Sequence, residues 1–510
     1  MTSKATNASH KSSLECLNEF EKPEAHKFKS VFISQEKNFA NKHGFHYRSS
    51  AQFYFEINRD KGIKTSLILF NYFKIKNKNQ VAVCVSLRDS KGNLVERRNI
   101  DFKNQNIIVI NDIFWNINNH RGSVEVEYFS LKNLVIPYAA VIGVYETIKG
   151  ISYLHTYSRS YSKHEMESGF TVMEGCESNW TIRDTEDVES FTIVHNGYLE
   201  VEAQDIKIKI ITESGRILEQ SYLLNALKPY EIFEIVPQNI FKGLSSWLNN
   251  EQANCSIHFK INGAFTRTLV GNRTKNKTDM QVTHSNFAYN HHQTDFVETE
   301  KGFMPYPKFD VRDGQINIYP DMPQGRYFID YESKQNKQKE FSSGEYISYK
   351  VDNHQNFNIE LGKFDSHLPS RIPIGFSGRS LNAATEIIPY EISLGICSKV
   401  RPNKRFWWGP IGNSKLRNSL VIGLLKDIYG EYSNEDLIIR IYNDQNEEYN
   451  ELIYSSSDLI SKDFRIDLSN YDLENIINFG MYTVFSEYPG FFVYSLTENT
   501  KGSIAIEHGF

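Results

Sequence analysis

The sequence predicts an all-β protein: a tandem array of about four antiparallel β-sandwich modules, immunoglobulin-like in plan. Three observations lead there. Short apolar or alternating runs, bounded by Asn, Asp, Gly and Ser, dominate the 510 residues. The aromatic set is 34 Phe and 29 Tyr against 5 Trp, which with frequent Ile, Val and Thr favours strands over helices. Finally, one pattern of hairpin, short strand, turn and closing strand recurs at about the length of a whole domain, too long for a solenoid repeat.

The hairpins come first. "QVAVCVSLRDSKGNLVERRNI" (80–100) reads as strand, polar tip at 89–92 and return strand. "DIKIKIITESGRILEQSYLL" (205–224) and "DLIIRIYNDQNEEYNELIY" (436–454) repeat it, and "GRYFIDYESKQNKQKEFSSG" (325–344) supplies another copy. Behind three of them follow "IIVINDIF", "EIVPQNIF" and "FRIDLSNYDL", each a short strand running into a turn that Asn or Asp can cap. "IFKGLSSWLNN" and "DLENIINFGMY" each have room for a single helical turn between sheets.

The closing strands end alike. His155 follows Gly92 by 63 residues, His284 follows Gly215 by 69, and His508 follows Asn446 by 62. The remaining copy is diverged, with Pro389-Tyr390 aligned to the histidines. These landmarks divide the chain into a polar N-terminal segment (1–30), modules at 31–165 and 166–295, the diverged module at 296–397, and a last module at 398–510.

Composition bounds the function. There are 57 basic and 62 acidic residues, so the basic excess that drives nucleic-acid or anionic-membrane binding is missing, and neither partner is expected. Five dispersed cysteines without a Cys-x-x-Cys read as thiols in a reducing compartment. The first 30 residues lack the apolar core of a signal peptide, and no run is long enough to span a bilayer. The expected location is the cytoplasm, with export by a route lacking a cleaved signal as the alternative. Phosphate-binding glycine loops, His-Glu-x-x-His, a Gly-x-Ser-x-Gly elbow and paired-Cys zinc sites are all absent from the sequence.

Candidate ligand-binding residues cluster after two closing strands. "HTYSRSYSKHE" offers His155, Tyr157, Arg159, Tyr161 and His164; "HSNFAYNHHQTD" offers His284, Tyr289, His291 and His292. Tyr and His combine a flat apolar face with hydrogen-bonding groups, which suits a sugar ring and its hydroxyl rim, and module junctions favour clefts. In "KRFWWGP", Arg405, Trp407 and Trp408 offer a further stacking platform, since adjacent residues of an extended segment face opposite sides.

The closing histidines themselves are expected to lie far apart, each capping its own sandwich, so no metal set, cofactor or catalytic residue is assigned. The sequence therefore points to a non-enzymatic binding or scaffolding protein, with glycan as the favoured ligand at the module junctions. Protein partners or self-association through sheet edges are further expectations. The alternative is an enzyme of glycan or small-molecule metabolism, with a His-centred, metal-dependent site where modules 1 and 2 meet.

Overall fold

The computed structural model describes residues 48–156, 179–285, 301–396 and 404–510, apart from 132–133, 135–138, 198, 260–267, 323, 332–338, 352–355, 365–367, 369–371 and 472. The described residues form four antiparallel β-sandwiches, with strands in the spans 48–155, 180–284, 301–395 and 406–508. In modules 2, 3 and 4 each sandwich is two four-stranded sheets. In module 1 the two layers are joined, because Arg48–Asn58 turns directly into Ile63–Phe70 and the strands share one eight-stranded sheet. Among the described residues, no helix is long and apolar enough to cross a membrane.

The sequence hairpins are present. Ala82–Asp89 pairs with Leu94–Ile100, Gln204–Thr212 with Ile217–Leu224, Arg326–Tyr331 with Lys339–Ser342, and Leu437–Tyr442 with Tyr449–Tyr454. All three turns are present and two are capped as expected, while Pro237–Ile240 follows Val236 and has no side-chain cap. Asn111 Oδ1 accepts from the Ile113 and Phe114 amides, and Asp467 caps a short 3₁₀ turn after Arg465–Asp467. "IFKGLSSWLNN" holds the helix Leu244–Leu248, whereas Leu473 to Ile476 makes only a turn.

Each sandwich ends on a closing strand at the edge of one sheet: Ile151–His155, Met280–His284, Tyr390–Gly395 and Ile504–His508. An edge strand with one face in water alternates in burial. Ile151–His155 and Met280–His284 are instead buried at every residue, and Ile504–His508 at all but its last. Their second faces are covered by one another. Modules 1 and 2, 2 and 3, 3 and 4, and 4 and 1 each bring their closing strands into contact, so the four modules close around a common centre.

Contacts between successive modules complete the ring. The tip of the first hairpin seats on module 2, where Ser90 O accepts from Ile232 N at 3.1 Å and the Arg88 guanidinium lies 3.8 Å from the Tyr230 ring centroid. Asn179 donates to Asp321 across modules 2 and 3, and Arg465 donates to Phe309 O across modules 3 and 4. The last hairpin seats on module 1, where Lys74 pairs with Glu447 at 2.6 Å and Asn106 Nδ2 donates to Glu447 O at 2.9 Å. Beside it, Trp408 and Tyr442 pack against Phe70. The apolar core is continuous from module 1 into modules 2 and 4, which makes these interfaces parts of the core.

Candidate central histidine site

At the centre of the ring the closing strands carry polar residues among apolar ones, and these pair across modules. Gln281 Nε2 of module 2 donates to Ile151 O of module 1 at 3.0 Å and to Ser503 Oγ of module 4 at 2.7 Å. Ser503 Oγ also accepts from Ile151 N, and Ser152 Oγ accepts from Val282 N. A buried hydroxyl or amide needs such partners, so this network fixes the three strands relative to one another.

Fixing the strands brings their last residues together. The His155 ring lies 4.3 Å from that of His284 and 4.9 Å from that of His508, centroid to centroid. One candidate ligand nitrogen from each of the three lies within 4.8 Å of the others. This corrects the expectation that the closing histidines stay apart: in an open array they would, but the array closes on itself. The diverged module contributes no histidine. Tyr390, aligned to them in sequence, opens its strand rather than ending it, and Leu394 and Gly395 occupy the end where the other copies carry histidine.

Surrounding groups orient the imidazoles. Glu507, buried beside His508, places Oε1 3.1 Å from His155 Nδ1 and 4.0 Å from His508 Nε2, and accepts from the His508 amide. His284 Nδ1 lies 2.9 Å from Ser285 O; a carbonyl only accepts, so Nδ1 is the donor and Nε2 is the nitrogen left to face the other rings. Phe510 closes over the group, 4.4 Å from His155 and 4.8 Å from His508, and packs in turn against Trp408. Three imidazoles and one carboxylate, largely withdrawn from water, form a donor set that can hold a transition metal, or pass protons between histidines.

Of the other predicted site residues, Tyr157, Arg159, Tyr161, His164, Tyr289, His291 and His292 lie outside the described residues. Trp407 and Trp408 correct the idea of an exposed platform. Trp407 is fully buried in the core of module 4, while Trp408 is 4% exposed and packs against Phe70 and Tyr72 of module 1. Neither indole presents a face for stacking, because one side of the strand faces its own sandwich and the other faces the neighbour. Arg405 pairs with Glu487 at 2.5 Å. Sequence reasoning missed Glu507, Phe510, Gln281 and Ser503. The signal for Gln281 was there: a Gln inside a largely apolar strand needs a partner from elsewhere.

No protein-family model matches the chain, and no curated protein matches it in sequence. Among solved structures, a calcium-binding mutant of Bacteroides uniformis β-glucuronidase 2 aligns at 9% identity over 52% of this chain and 28% of that one, with a TM-score of 0.11. A tetra-tandem repeat from the extending region of a large adhesion protein aligns at 8% identity over 87% and 97%, TM-score 0.09. A two-domain fibronectin type III segment of chicken tenascin aligns at 10% identity over 42% and 99%, TM-score 0.08. Scores this low carry no weight for fold or function; the multi-module β architecture stands on the strands and sheets of the chain itself.

Proposed function

We propose that the chain is a closed four-module β scaffold that acts by binding rather than by catalysis, with glycan as its ligand class. The reading draws its support from one observation. His155 and His284 are adjacent, and in the sequence a Tyr- and His-rich stretch follows each of them. The Tyr and His residues of those stretches carry the flat faces and hydrogen-bonding groups that a sugar needs. The dispersed cysteines favour a reducing compartment, the cytoplasm, for this scaffold.

The test is an oligosaccharide array probed with the full chain, Tyr161→Ala and His291→Ala. Binding by the parent, lost in both variants, supports the reading. A parent that binds no glycan overturns the ligand class.

A second reading, an enzyme with a His-centred site, draws on the same convergence of His155 with His284 and on Glu507 beside them. Turnover of glycosides or esters by the purified chain, abolished by His155→Ala, would favour it over the scaffold.

A further inference from the structure

We propose that His155, His284 and His508 together bind one divalent transition-metal ion, which fastens modules 1, 2 and 4 at their common centre. The inference is independent of what the scaffold binds elsewhere.

Residue types come first. Imidazole is a borderline-soft donor that suits zinc, cobalt, nickel, copper and iron, and three histidines leave a position for a fourth ligand. Spacing comes next. Ligands around one tetrahedral ion at 2.0–2.1 Å stand roughly 3.4 Å apart. The three histidines already offer nitrogens within 4.8 Å of one another, so side-chain rotations of order 1 Å draw them onto an ion. The strands beneath need not move, since Gln281, Ser152 and Ser503 hold them in register.

The neighbours fit as well. Ligating histidines are oriented by an acceptor on their other nitrogen. Ser285 O does this for His284, and Gly509 O approaches Nδ1 of His508 at 3.5 Å. Glu507 supplies a buried negative charge facing two of the three rings, which offsets part of the charge of a divalent ion. His155 and His284 are 8% and 3% exposed, and Phe510 covers the group, so water is largely kept out. Each ligand comes from a different sandwich. An ion held by all three can be bound only when the ring is closed, so binding and closure are one equilibrium.

The experiment uses the full chain, stripped with a chelator and dialysed. Zinc and cobalt(II) are titrated by calorimetry, and cobalt by its visible absorption, which is intense for a four-coordinate site. One equivalent of either metal is expected, together with a rise of several degrees in Tm that magnesium does not produce. His284→Gln should weaken the affinity about 100-fold, and Glu507→Gln about 10-fold or more. His120→Gln, at a half-buried histidine outside the cluster, should leave it unchanged. A folded parent that takes up zinc and cobalt no better than a His155→Gln/His284→Gln/His508→Gln variant overturns the site, and so does a parent with no stoichiometric uptake, whether or not any variant folds. Metal bound with no rise in Tm overturns the fastening role.

Discussion

The rings of His155 and His284, carried by two different sandwiches, lie 4.3 Å apart at an interplanar angle of 72°. Nothing within either module requires this. It follows from packing Ile151–His155 directly on Met280–His284, the same packing that leaves both strands without a solvent face.

Gly92 and Gly215 separate the demands of a turn from those of an interface. Both have φ near +80°, which disfavours any other residue by about 1–2 kcal/mol. A Cβ at Gly215 meets nothing within 4 Å, whereas one at Gly92 would sit 2.1 Å from Pro229 O of module 2. Gly215→Ala should therefore lose about 1 kcal/mol in urea unfolding. Gly92→Ala should lose at least about 2 kcal/mol more, through the displaced contact. Equal losses would mean the first hairpin tip does not seat on module 2.

Trp408→Ala and Trp407→Ala should each cost about 3–5 kcal/mol, because both indoles are buried. They differ in what opens. Trp407 holds module 4 together, while Trp408 holds module 4 to module 1. Small-angle scattering should show a larger radius of gyration for Trp408→Ala under native conditions. A parental radius there would mean that this contact does not keep the ring closed.

Tyr153 of module 1 donates to Thr497 Oγ1 of module 4 at 2.7 Å, with both side chains buried. Tyr153→Phe and Thr497→Val should each destabilise by about 1 kcal/mol. In the double variant the losses should not add, giving a coupling of about 0.5–1.5 kcal/mol. Strict additivity in the double-mutant cycle would deny the contact.

His195 is buried in module 2, neither ring nitrogen has a hydrogen-bond partner among the described residues, and burial pushes its pKa down to about 3. In the unfolded chain it titrates near 6.5. Above pH 6.5 both states are neutral there, and His195 leaves stability independent of pH. Between about pH 6.5 and 3 only the unfolded chain takes the proton, so stability falls by about 1.4 kcal/mol per pH unit as pH drops. His195→Leu should flatten this part of the profile between pH 6 and 4 in denaturant titrations. Parallel profiles for parent and variant would rule out this cause.

Much of each sandwich was legible in the sequence, and for a local reason. Runs such as "QDIKIKIIT" report by their period which face is apolar, and turn residues such as Asp89 and Gly92 report where a strand must reverse. The candidate site was legible only as three separate histidines. Their equivalence could be read, because recurring order and spacing are properties of the chain. Glu507 and Phe510 gave little sign of their roles, because a lone carboxylate or phenyl ring gains its meaning from what stands opposite.

What the sequence alone determined is the module: its strands, its hairpins and its closing element. Tertiary structure alone decided that the modules form a ring rather than a row. That choice rests on contacts such as Lys74 with Glu447, 373 residues apart, which no local period encodes. It also rests on second faces of the closing strands that carry Ser152, Gln281 and Glu507, groups that need partners which a sequence displays without naming. The histidines became a site only when those faces met.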